Sequence, residues 1–237
     1  MNLDRLHYEI KLMGKRVLLT PIIVMLGFTL FALLLHYLKV IPARFLSAGL
    51  EMILPLSAGV IVATITSQDP AIELQLTVPK KYHRTAMGRL ALIALWSAIV
   101  TLLSSSIITA IKLAYIPTQL LAWSAPTQFL ANQLTWFSPL LWFVGMGLCL
   151  AMLTRSRTAS AALLSGIWLV EIVFKDFFAS TSWLQPVFLF PTTLKPAIDY
   201  WLTNRIEVLI MALLLLPIGW LLLRGNPEGL LKGSSEE

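Results

Sequence analysis

Six mostly apolar stretches, each about as long as a bilayer is thick, follow one another along the chain with short connections between them. A helix needs about 20 such residues to cross the hydrocarbon core. A soluble globule could not hide them: 57% of the residues are hydrophobic and 13% charged, against roughly 25% charged in soluble domains. In hydrocarbon each backbone polar group must find its partner within the protein, so runs of this length fold as helices. The chain therefore reads as an all-α, polytopic membrane protein. Its six transmembrane helices are expected near 17–38, 45–66, 90–111, 137–153, 159–178 and 205–223, in a single transmembrane domain over 1–237.

Residues 1–16 have a different pattern. Leu3, Leu6, Ile10, Met13 and Val17 recur at helical spacing, with Asp4, Arg5, Glu9, Lys11, Lys15 and Arg16 on the other faces. This predicts an amphipathic helix lying in the membrane interface. The apolar run after it is too long for the core of a signal peptide, and no small-residue cleavage site follows, so it is expected to remain as a span. Residues 179–204 are neither polar nor a clean span. Trp183, Pro186, Phe188, Phe190, Pro191, Pro196, Tyr200 and Trp201 predict broken helices dipping into the outer leaflet. Such backbone must be buried in protein or line a wet cavity. Gly145 and Gly147 predict a close helix approach in the fourth span.

Charge sets the expected orientation. With the N-terminus in the cytoplasm, twelve of the 18 Lys and Arg residues fall on the inner side. The positive-inside bias then puts both termini in the cytoplasm, in a multi-pass protein of the cell membrane. The net charge of +6 follows from the same clustering. No basic patch interleaved with aromatics occurs, which sets nucleic acid aside.

Catalytic constellations are missing. There is no G-x-x-x-x-G-K-[ST] phosphate loop, no H-E-x-x-H and no G-x-S-x-G. His7, His36 and His83 fall in three different segments, and the lone Cys149 sits in an apolar run, so no metal site is expected. Carboxylates within spans cost a few kcal/mol at such depth and need a partner or a role, and Glu51 and Glu171 are the candidates. Glu51 lies about 9 Å along the second span at 1.5 Å per residue, with no local partner. A neighbouring span or subunit, offering an outer Arg or Lys, is its expected contact. Glu171 has Lys175 four residues on, the spacing of a helical ion pair, with Asp176 beside it. Most Trp residues suit the interfacial belt. Trp142 and Trp168 do not, and are candidate pathway aromatics.

One inner connection stands out. Asp69 is a good N-cap and Pro70 a good first helical residue, and Pro79 ends the element before Lys80 and Lys81. A short cytoplasmic helix over 69–79 follows, with Ile72 and Leu76 on its apolar side. Here the chain resembles the transmembrane (permease) subunit of type-2 class ABC exporters. That family carries a stretch near G-T-L-E-L-L-L-x-x-P and then basic residues between its second and third spans. Ile72, Glu73, Leu74, Leu76 and Pro79 match it, whereas Pro70-Ala71 stands in place of Gly-Thr. The amphipathic entry helix, the six spans and the Pro-broken outer segment also match along nearly the whole chain.

The resemblance implies that 69–79 is a coupling helix, with Asp69, Pro70, Ile72, Glu73, Leu74, Leu76 and Pro79 docking on a separate ATP-binding subunit. ATP and Mg would be bound there, with no cofactor on this chain. A second permease copy, or a homologous permease, would complete a pathway for an amphipathic, lipid-like, peptide or drug-like substrate. The alternatives are a membrane-embedded lipid-modifying enzyme and a non-transporting immunity or regulatory subunit.

Overall fold

A computed structural model describes residues 3–39, 42–67 and 82–225. The helix expected at 69–79 lies outside the described residues, as do the side chains of 3–13, 16 and 36. Among the described residues every regular element is a helix or a 3-10 turn: α1 (Leu3–Tyr37), α2 (Ala43–Ala48), a π-turn (Gly49–Ile53), α3 (Leu54–Ser67) and α4 (Tyr82–Ala110) come first. Next are α5 (Ala125–Asn132), α6 (Leu134–Thr154), α7 (Arg157–Val173), α8 (Lys175–Ser180), α9 (Pro191–Leu194) and α10 (Trp201–Gly225).

Five segments are long and apolar enough to cross a membrane: Val17–Leu35, Ala43–Ser67, Tyr82–Ala110, Ala125–Thr154 and Trp201–Gly225. The fifth expected span, 159–178, is divided. α7 has 17 residues, about 26 Å of helix against a core of about 30 Å. Phe174 then leaves helical geometry at φ −101 and ψ 25, and α8 starts anew at Lys175.

Local sequence explains the breaks. Gly14 takes φ 77 and ψ 160, a conformation L side chains rarely adopt, and so divides α1 into an entry piece and a span. Pro55 has no N–H for the carbonyl of Glu51, one turn earlier. In that turn the ladder widens, with Leu54 N–H bonding Gly49 O in an i to i−5 step. Glu51 sits in the middle of this π-turn. Lys39, Lys112 and Arg155 follow the ends of α1, α4 and α6 in left-handed conformation, φ 56 to 60. Each puts a cation where the helix dipole is negative.

α6 is the central post. In the 18-residue apolar window of Ala125–Thr154, 67% of the residues are buried, against 22% in those of Val17–Leu35 and Trp201–Gly225. Its neighbours α3, α7 and α10 pack around it. Glycine permits the closeness. A Cβ at Gly59 would come within 2.7 Å of Phe143 O, and one at Gly147 would collide with Gly59 backbone. On the other side, Gly145 meets Leu215, and Gly219 of α10 meets Leu148.

Gly147→Ala is therefore expected to destabilise the bundle by about 1–3 kcal/mol, the usual cost of overpacking. Gly166→Ala, with nothing within 4 Å of its Cβ, should leave stability unchanged or slightly raised. Unfolding midpoints in detergent, with the two variants side by side, check this.

Candidate functional site

The end of the bundle where α3, α6 and α10 meet the 181–200 segment holds a buried polar cluster. That segment cannot form one helix. Pro186 lies in a 3-10 turn (Ser182–Val187) and Pro191 opens the four-residue α9. Between them Phe188, Leu189 and Phe190 are fully buried. Their backbone groups, and those of α9's first turn, therefore need partners from elsewhere.

Side chains of the long helices supply them. Glu51 Oε1 accepts from Thr192 N–H at 3.0 Å, and Oε2 from Thr193 N–H at 2.7 Å. Arg205, near the start of α10, donates from Nη2 to Glu51 Oε1 at 2.9 Å and to Leu189 O at 3.0 Å. Its Nη1 donates to Thr135 O at 3.2 Å. Both side chains of this ion pair are 0% exposed. Glu171 Oε2 accepts from Leu189 N–H at 2.8 Å. Asn204 Nδ2 donates to the carbonyls of Gln185 and Phe188, and Trp201 Nε1 to Thr192 Oγ1 at 2.8 Å. Ser138 of α6 closes the cluster by donating to Arg205 O at 3.0 Å.

The rim of the segment is tied more loosely. Tyr200 OH donates to Ala179 O at 2.7 Å and Tyr115 OH to Pro196 O at 3.3 Å. Lys195 pairs with Asp176, whose side chain is 73% exposed. In water such a pair adds little stability.

The sequence-predicted residues thus fall into four groups. Glu51 meets Arg205, an arginine from a distant helix. Glu171 does not pair with Lys175: the helix breaks at Phe174 between them, so the i, i+4 geometry is lost, and Glu171 bonds Leu189 instead. Trp142 and Trp168 lie in the same hydrophobic cluster as Met52, Leu189 and Phe190, and the indole N–H of each has no acceptor. Asp69, Pro70, Ile72, Glu73, Leu74, Leu76 and Pro79 lie outside the described residues.

Sequence reasoning counted Arg205 only as a charge for topology, and passed over Asn204, Thr192 and Ser138. The one available signal was Asn204-Arg205 heading an apolar run, directly after a segment whose prolines forbid a continuous helix.

Chemically the cluster is a holding device. Glu51 uses both oxygens on donors from the 192–193 turn and Arg205. Among the described residues no three His, Cys, Asp or Glu side chains converge as metal ligands. No family model, no curated protein and no solved structure matches the chain.

Removing one partner from a buried pair strands the other charge, at about 3–5 kcal/mol. Glu51→Ala and Arg205→Ala are each expected to lower detergent stability by this order. The double variant should cost less than their sum, with a coupling of about 0.5–3 kcal/mol. Asp176→Asn should leave the unfolding midpoint unchanged.

Proposed function

We propose that the chain is the permease subunit of an ATP-driven exporter of the type-2 ABC class. Two permeases form the pathway, and separate ATP-binding subunits drive it. The observation that supports this best is the architecture around Glu51. A Pro-broken segment before the last span, made of short turns, buries its 188–192 stretch in the bundle and is fastened there by side chains of three other helices. The division of α1 at Gly14 is a second support, since it sets an entry helix off from the first span. α7 and α8 together would serve as the remaining crossing, giving six spans with both termini in the cytoplasm.

In this reading 69–79 is the coupling helix that seats on the ATP-binding subunit. Glu73 and Leu76 carry the contact, polar and apolar. Substrates are amphipathic, lipid-like, peptide or drug-like molecules, and ATP with Mg is bound by the partner. Nothing at the Glu51 cluster favours an enzyme, because both oxygens of Glu51 are taken by backbone N–H groups and Arg205, and Glu171 holds Leu189 N–H.

The test is association and transport. Co-expressed with a phosphate-loop ATPase encoded in a neighbouring reading frame, the chain should co-purify with it and stimulate ATP hydrolysis. Glu73→Arg with Leu76→Asp should cut association at least tenfold while the unfolding midpoint holds. Failure to associate, or turnover of a lipid by the chain alone, would sink the reading.

A further inference from the structure

The opposite end of the bundle holds a second polar feature, remote from the Glu51 cluster. His83 and Arg84, in the first turn of α4, and Trp220 and Arg224, in the last turns of α10, line a cavity of about 340 Å³. The Trp220 ring is held between two of them. The His83 ring meets it edge-on at 5.9 Å and 81°, and the Arg224 guanidinium lies 5.6 Å from its centroid. Arg84 and Arg224 are exposed, and neither has a carboxylate partner among the described residues.

Arg84 and Arg224 carry charges of the same sign, and among the described residues no carboxylate pairs with either. Arg84 stands at the positive end of a 29-residue helix dipole, where a cation is disfavoured and an anion favoured. Arg224 brings a second guanidinium from another helix to the same cavity. An anion between them would relieve both the mutual repulsion and the repulsion by the dipole. Guanidinium forks suit phosphate oxygens in particular.

The surroundings make that phosphate part of a lipid. On α10 the stripe above Arg224 and Trp220 continues through Pro217 and Leu213, which is 54% exposed. On α4 the stripe from Arg84 continues through Ala91 to Leu95, which is 59% exposed. Acyl chains would lie along these apolar tracks. A Trp at the mouth suits headgroup depth, and basic pockets between membrane helices hold anionic headgroups.

We infer that the His83–Arg84–Trp220–Arg224 cavity is a binding site for the phosphate headgroup of an anionic phospholipid. The inference needs only that the bundle lies in a membrane, and it stands or falls independently of any transport role.

The purified full chain, exchanged into phosphatidylcholine nanodiscs, is titrated with short-chain phosphatidylglycerol and, separately, with short-chain phosphatidylcholine. Retained lipid is counted by native mass spectrometry. Phosphatidylglycerol should be preferred at least tenfold. Arg84→Gln with Arg224→Gln should abolish the preference, while Arg155→Gln with Arg157→Gln, removing two charges at the same end, should keep it. Trp220 fluorescence should respond to phosphatidylglycerol, and the response should vanish in Trp220→Phe. Equal retention of the two lipids overturns the inference. So does equal loss in both arginine pairs, which would mean general surface charge. Displacement of the lipid by millimolar inorganic phosphate would mean a free-phosphate site and also overturns it. Unchanged unfolding midpoints show that each variant is folded.

Discussion

Hydrogen bonds to the backbone of residues 185–193 hold the Glu51 end of the bundle together. Interrupted by Pro186 and Pro191, this stretch cannot satisfy itself by helix formation, yet Phe188, Leu189 and Phe190 are fully buried. A peptide group left dry without a partner costs several kcal/mol in hydrocarbon. The long helices therefore carry groups that would otherwise be intolerable in a membrane. Glu51 and Glu171 act as acceptors, Arg205 and Asn204 as donors, and each bonds a main-chain group of this stretch. The Glu51–Arg205 pair is thus a by-product of a larger task. Each side chain is fixed first by the backbone it serves, and each neutralises the other while doing so.

The demand propagates into the helices. Glu51 reaches the 192–193 turn from a π-turn that Pro55 favours by removing a ladder donor. Arg205 is steadied through its own carbonyl by Ser138 of α6, and α6 in turn can approach α3 only because Gly59 and Gly147 face each other. Glycine packing, the π-turn and the ion pair therefore form one mechanical unit. A shift of α3 against α6 would move Glu51 relative to Thr192 and Thr193, and loosen the segment it holds.

Much of this was legible in the sequence, but unevenly. The apolar runs announced the long helices, because length and hydropathy alone dictate them. Gly145 and Gly147 announced close packing, and the prolines and aromatics of 179–204 announced broken helix. The partner of Glu51 was not legible as a particular residue, since 154 positions separate it from Arg205 and nothing in local spacing links them. Glu171 misled for the opposite reason. Lys175 at i+4 offered a ready local pair, but that reading assumed an unbroken helix, and Phe174 breaks it. In both cases the deciding partner was a long-range one, which periodicity cannot reveal. The left-handed Lys39, Lys112 and Arg155 were equally hidden, because glycine is the usual residue there.

The two ends of the bundle solve opposite problems. At the Glu51 end the protein supplies most partners itself: carboxylates, guanidinium and amide bond backbone groups within a dry interior, with only Arg205 Nε, Asn204 Oδ1 and Thr193 Oγ1 of the cluster left without one. At the Arg224 end two guanidiniums line one cavity with no carboxylate partner among the described residues, and the cavity is open to the surroundings. A polar group in a membrane protein must be paired by something. Where the chain provides the partner, the group is structural and its loss is felt as instability. Where the described residues provide none, a lipid headgroup or water can supply it. The difference between the ends is therefore one of completeness, which is why the closed cluster calls for stability measurements and the open one for binding.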